Sequence, residues 1–227
     1  MKNVTEDNYF FENNEDAANK LIATLPIELL KNNETVVVGV SEGGVYFADK
    51  ISKHIHATMD ILLTEPIPAP NNPELAIAMV SETEDVVMHK ALIDSFGISE
   101  DYVYGEAKRQ YEEKVLSYLY KYRKGKDITS LKGKYVVLVD DCIETGLTIM
   151  IALKSAIKSE AKNIFIATPI LDQSVYEGLI TVCDGVFCPH KIENYISSEY
   201  YYKDFKLLNF EEIEEVMINQ NKNTTNS

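Results

Sequence analysis

Tryptophan is absent from these 227 residues, histidine occurs four times and cysteine three. An odd number of cysteines (Cys142, Cys183, Cys188) gives no disulfide framework. Cys183, Cys188 and His190 lack the second pair that a structural zinc site needs. Reduced thiols and a cytoplasmic location are the expectation. His54, His56, His89 and His190 are scattered, without triad or metal spacing. No apolar run approaches the length of a membrane span, and Met1 to Glu15 is polar and acidic, without the apolar stretch of a secretory leader; no membrane partner is expected. Cations are scarce: 22 Lys and Arg face 36 Asp and Glu, a net charge of −14. That balance argues against nucleic acid, which selects a basic face. It also disfavours a free polyanion unless Mg²⁺ or local cations accompany it. The Gly-x-Gly-x-x-Gly spacing is missing around Gly39 to Gly44, which counts against a dinucleotide fingerprint. There is no internal repeat. Fourteen tyrosines in place of tryptophan suggest aromatic packing with polar tips.

The informative segment is Val136 to Thr148. Val136-Val137-Leu138-Val139 reads as a strand buried on both faces, as in a parallel sheet. It delivers Asp140-Asp141, a short turn ending Thr145-Gly146-Leu147-Thr148, and then Ile149 to Ile157 at helical spacing. Ligands of open α/β sheets collect at the carboxyl ends of strands, and a helix N-terminus suits a phosphate. Carboxylates accept hydrogen bonds from vicinal hydroxyls while backbone N–H groups hold an anion, so the pattern points to a phosphorylated ribose. Two acids after a strand also serve as simple helix caps, but Thr, Gly and Thr at fixed places make the string more specific than capping requires.

Along the chain, Asp16 to Leu30 has helical spacing up to Pro26. Thr35 to Val40 reads as a strand, Ser41 to Gly44 as a glycine turn and Val45 to Ile55 as a helix. Met59 to Leu63 is a short strand, ended by Pro66, Pro68, Pro70 and Pro73, which predict a rigid, extended loop. Glu74 to Met88 suits strands and Asp101 to Lys124 a long charged helix. Asn163 to Pro169 and Val182 to Cys188 read as strands around a helix near Ser174 to Leu179. Strands alternating with helices predict a doubly wound parallel sheet in one domain over residues 1–217. Residues 218–227, polar and rich in Asn and Thr, are expected to form a disordered tail.

The string from Val136 to Thr148 resembles the phosphoribosyl diphosphate (PRPP) signature of type I phosphoribosyltransferases. Further landmarks look like a predicted bacterial family within that superfamily: Val40-Ser41-Glu42-Gly43-Gly44, Asn72-Pro73-Glu74-Leu75-Ala76, Tyr122-Arg123-Lys124-Gly125 and the aromatic-acidic Tyr200 to Phe205. The resemblance covers about residues 10 to 215. It implies a phosphoribosyltransferase-type α/β fold with a small hood, and Mg²⁺-dependent transfer of phosphoribosyl from PRPP to a nitrogenous acceptor. Asp140 and Asp141 would meet the ribose hydroxyls, directly or through substrate-bound Mg²⁺. Cys142, Ile143, Thr145, Gly146, Leu147 and Thr148 would wrap the 5′-phosphate. Ser41, Glu42, Gly43 and Gly44 would form the diphosphate loop. Glu144, where purine-salvage relatives carry an Asp, would be a general base, or else a solvated carboxylate at a helix start. A homodimer is a further expectation.

Three departures bear on activity. The family usually has Arg in the diphosphate turn, where Glu42 stands; Arg-Lys where Thr64-Glu65 stands; and Phe-x-Asp-Arg where Phe11-Glu12-Asn13-Asn14 stands. A carboxylate a few ångströms from a diphosphate is repelled by roughly 1–4 kcal/mol at dielectric constants of 80 to 20, unless it points to solvent. The alternative function is therefore a catalytically inactive relative that binds a nucleotide or ribose 5-phosphate. Lys108, Arg109, Arg123 and Lys124 of the long helix are candidates to supply the missing positive charge.

Overall fold

A computed structural model describes residues 9–224, with side chains to residue 220. The elements run β1 (Phe11–Asn13), α1 (Asn14–Ile22), α2 (Ile27–Lys31), β2 (Thr35–Gly39), α3 (Glu42–Ile55), β3 (Thr58–Ile61), β4 (Thr64–Ala69), β5 (Asn72–Ser81), β6 (Val86–Met88), α4 (Lys90–Ser95) and α5 (Glu100–Gln110). A π turn (Tyr111–Val115) leads into α6 (Leu116–Arg123), β7 (Tyr135–Val139), α7 (Leu147–Lys158), β8 (Asn163–Ala167), β9 (Ile170–Asp172), α8 (Gln173–Leu179), β10 (Gly185–Phe187) and β11 (His190–Ile192). A 3₁₀ turn (Ser198–Tyr201), β12 (Tyr202–Asp204) and α9 (Phe210–Thr224) complete the order.

The five-stranded central sheet has the order β10-β8-β7-β2-β3, with every pairing parallel. Its strands are largely apolar because both faces are covered; Asp60 of β3 is a buried carboxylate that accepts from Thr129 N–H at 2.7 Å. Val37, Val137, Val139 and Phe165 join one core with Val45, Phe47 and Ile51 of α3. Val36, Val38, Val136, Leu138 and Ile166 face the opposite way and pack with Ile149, Ala152 and Leu153 of α7. The period of two thus divides one run of valines between two cores. From β2 the chain moves outward to β3; from β7 it moves the other way, to β8 and β10. The switch lies between β2 and β7, paired from Thr35↔Tyr135 to Gly39↔Val139, and their carboxyl ends deliver Ser41 and Asp140 side by side. The doubly wound parallel sheet expected from the sequence is the fold.

A three-stranded antiparallel sheet, β4-β5-β6, and the long helix α5–π–α6 form the hood. The proline cluster is extended, as its composition requires, yet it is no loop: Pro66 and Pro68 sit in edge strand β4, with register shifts on either side of Pro68. An edge strand tolerates residues that cannot donate to a ladder. The expected long helix forms, with one π turn inserted at Tyr111–Val115. Residues expected to be a disordered tail continue α9 as helix to Thr224, because Ile213 and Met217 bury one face of it in the core; residues 225–227 of that tail lie outside the described residues. Tyr201 and Tyr202 are buried against Phe10 and Phe11, so the tyrosine cluster is largely core, with Tyr200 exposed.

Candidate active site

The loops after β2 and β7 build one site. Val40 N–H donates to the Val139 carbonyl at 3.0 Å and locks the strand ends together. Ser41 caps α3 by accepting from Gly44 N–H at 2.9 Å, and its hydroxyl donates in turn to the Asp140 carboxylate. Gly43 and Gly44 are explained by this packing. A Cβ on Gly44 would strike the Val139 carbonyl, and one on Gly43 would strike the Asp141 carboxylate.

Asp140 is 5% exposed and also accepts from Asp141 N–H at 3.0 Å. Burial, and after it the neighbouring Asp141 charge, push the Asp140 carboxyl well above the usual carboxylate range. Burial also raises Asp141. The two differ in outlook. Asp141 lines both a cleft of about 490 Å³ under the hood and a smaller cavity of about 240 Å³ over the β7–α7 loop, whereas Asp140 lines only the smaller. Ser41, Thr145 and Thr148 also line both spaces and join them.

The loop from Cys142 to Thr148 is shaped from below. Ile143 is buried in the core, and its N–H donates to the Ile170 carbonyl at 3.0 Å, so that amide is already committed. The Cys142 thiol lies 3.4 Å from the Tyr195 hydroxyl, and burial pushes it up to about 12, which keeps it protonated. Gly146 holds a φ of +77°, in the left-handed region, and a Cβ there would lie 2.9 Å from Val175 Cγ1. The glycine is therefore demanded by backbone conformation and by α8. As N-cap of α7, Gly146 offers no side-chain acceptor to the first turn. That turn keeps N–H groups without helical partners, and one of them, Leu147 N–H, reaches only the Thr145 hydroxyl at 3.4 Å. By contrast, α3 is closed by Ser41.

Glu42 sits in the first turn of α3 at the large cleft, where Tyr122 donates its hydroxyl to the Glu42 carboxylate at 2.8 Å. Burial, with Glu42 adding to it, raises the Tyr122 phenol far above its ordinary value. Glu65 is buried at the cleft wall and paired with Lys114 of the π turn. The candidate cations of the long helix serve elsewhere. Lys108 pairs with Glu112, Arg109 with Glu106 and Glu113, and Lys124 with Glu214. Arg123 forms a buried pair with Glu82, which also accepts from Leu63 N–H at 2.9 Å. Lys114 and Tyr118 also belong to this site, with no local sequence signal that marks them. A spacing of four aligns Lys114, Tyr118 and Tyr122, but the π turn shifts the helical register on which a sequence reading depends. Glu144 is exposed and lines the small cavity. Among the described residues, no group of three or more His, Cys, Asp or Glu is placed to hold a metal, and no helix is long and apolar enough to cross a membrane.

Residues 2–204 match the family model of the phosphoribosyl transferase domain. A Mycobacterium tuberculosis protein, named as a provisional phosphoribosyl transferase in each of two strains, is 27% identical over 178 residues; these are 78% of this chain and 40% of that protein. The chain thus spans well under half the length of that curated relative. A crystal structure of a Thermus thermophilus protein aligns with a TM-score of 0.76 at 26% identity, covering 92% of this chain and 98% of the other.

Proposed function

The chain belongs to the phosphoribosyl transferase domain family, and from that premise we propose that it transfers a phosphoribosyl group from PRPP to a nitrogen nucleophile. The uncapped N-terminus of α7 beside an Asp pair at the sheet's switch point carries this reading. Open amides there suit the 5′-phosphate, with Gly146, Leu147 and Thr148 offering N–H groups and Thr145 and Thr148 hydroxyls. Cys142 and Ile143 give the loop its shape. Asp141 accepts from the ribose hydroxyls, while Asp140 is held by Ser41 and sets its neighbour in place. Ser41 to Gly44 faces the diphosphate. The C1–O bond to diphosphate breaks as the nitrogen lone pair bonds to C1, and the proton on that nitrogen passes to a base. Glu144, on the rim of the small cavity, reaches an acceptor only if that acceptor extends past Thr145.

Magnesium fits the donor chemistry, since Asp140 and Asp141 are hard oxygen ligands. The described residues offer no closed protein site for it, so substrate oxygens would hold most of its shell. When bound, the ion offsets the charge of the diphosphate.

A second reading, a nucleotide or ribose 5-phosphate binder without transfer, is favoured by one observation. Glu42 occupies the turn where a diphosphate would need positive charge. Titration calorimetry with PRPP and with nucleoside 5′-monophosphates, each with and without Mg²⁺, separates the two. Mg²⁺-dependent PRPP binding supports transfer, monophosphate binding alone supports the second reading, and no binding of either removes both.

A further inference from the structure

The long helix of the hood carries one row of side chains that is exposed from end to end. Asp101, Gly105, Arg109, Glu113, Ser117 and Lys121 follow at steps of four, and all six are exposed. In turns of 3.6 residues such a row drifts around the helix, and the wider π turn at Tyr111–Val115 offsets part of that drift. Read from its two ends, the row is its own charge complement: Asp101 answers Lys121, Gly105 answers Ser117, and Arg109 answers Glu113. We infer that this row is the contact between two copies of the chain, packed antiparallel about a twofold axis that passes the helix near Tyr111.

Three observations select a second copy as the occupant. The chain has a net charge of −14, so two copies repel each other over most of their surface. Residues 100–124 carry six basic and five acidic side chains and escape that excess. Gly105 lies inside α5, where glycine weakens a helix, and a Cβ there would meet nothing within 4 Å. Its bare backbone serves no contact within the chain, but it admits a second helix at close range opposite Ser117. Beside the row stand Leu116, Tyr104 and Tyr120, the tyrosines 55% and 71% exposed. A twofold axis keeps this edge on the same side in both copies, so Tyr104 of one copy meets Leu116 and Tyr120 of the other. Aromatic side chains are enriched at such contacts. The Arg109–Glu113 pair within the chain is solvent-exposed, so exchanging it for the same pair between copies costs little. Lys121 keeps its charge at the end of the row, over the Phe210 ring. Tyr118 and Tyr122 bring another face of this helix to the cleft, so the contact does not depend on what the cleft binds.

Sedimentation equilibrium of the whole protein over a concentration series tests the pairing, with circular dichroism to show that each variant is folded. Wild type is expected to reach twice the mass of one chain. Arg109→Glu alone, or Glu113→Arg alone, sets like charges against each other across the axis and is expected to weaken the dimer at least about tenfold. The two changes together restore opposite charges and are expected to return the dissociation constant to within about threefold of wild type. Gly105→Leu, whose Cβ meets nothing in its own chain, is expected to be folded and monomeric. A wild type that stays monomeric overturns the inference. So does a dimer that the single reversals and Gly105→Leu leave intact, which would place the contact on another face, or one weakened by each reversal and not restored by both.

Discussion

Glu42→Gln is the most telling single change for the diphosphate side. The carboxylate projects from the first turn of α3 into the loop expected to face diphosphate, held by Tyr122 at 2.8 Å. The amide keeps a carbonyl oxygen for that hydroxyl, so the substitution removes one unit of charge and little else. At a separation of about 4 Å, that charge repels each phosphate charge by about 1 kcal/mol in a water-like dielectric and about 4 kcal/mol at an effective constant of 20. Glu42 is exposed, so the lower figure applies. Removing the charge should therefore tighten PRPP about fivefold, since 1.4 kcal/mol is tenfold in affinity. Calorimetry of wild type and variant at about 0.01 M and at 1 M salt is the assay. The gain should shrink at high salt, where the screening length falls to about 3 Å. A gain absent at low salt would mean that the diphosphate does not pass this turn; a gain that ignores salt would mean that the amide acts through shape.

Other consequences follow from the same geometry. Asp140→Asn with Asp141→Asn should abolish ribose 5-phosphate binding while the protein stays folded, as circular dichroism would report. The two carboxyls are raised in the native state, so the stability they contribute is complete below the ordinary carboxylate pKa of about 4 and is lost as pH rises through the raised values. The melting-temperature advantage of the double variant over wild type should accordingly widen from pH 4 to pH 7; a constant gap would contradict it. Gly146→Ala should lower the melting temperature by several degrees, from about 1–2 kcal/mol of left-handed backbone cost plus the contact with Val175; an unchanged melt would refute the strain. Iodoacetamide at pH 8 should leave Cys142 and Cys188 unmodified in the folded protein, since both thiols are pushed up to about 12. Rapid labelling of either, read by mass spectrometry, would contradict that burial.

The sheet was legible because its strands are β-branched runs, and burial on both faces leaves such a run no other stable place. The Asp pair and the Thr-Gly-Leu-Thr turn were legible because backbone and side-chain demands coincide at Gly146. The hood was less so. Prolines in β4 obscure a strand that survives only at an edge, and the π turn at Tyr111–Val115 shifts the face of the long helix by one residue. Charge compensation was hidden too: Lys114 reaches Glu65 and Arg123 reaches Glu82 across more than forty positions, and no local pattern encodes such pairs. The polar end of the chain is helical because Ile213 and Met217 find a core, a tertiary effect that composition does not report.

The central claim is that the open N-terminus of α7 and the Asp pair hold a ribose 5-phosphate group. Phosphorus NMR of ribose 5-phosphate titrated with the protein tests it most directly, with the Asp140→Asn, Asp141→Asn double variant as comparison. The account predicts a saturable shift of the phosphate resonance with wild type and none with the variant. A resonance that wild type leaves unmoved, or that the variant shifts equally, would contradict it.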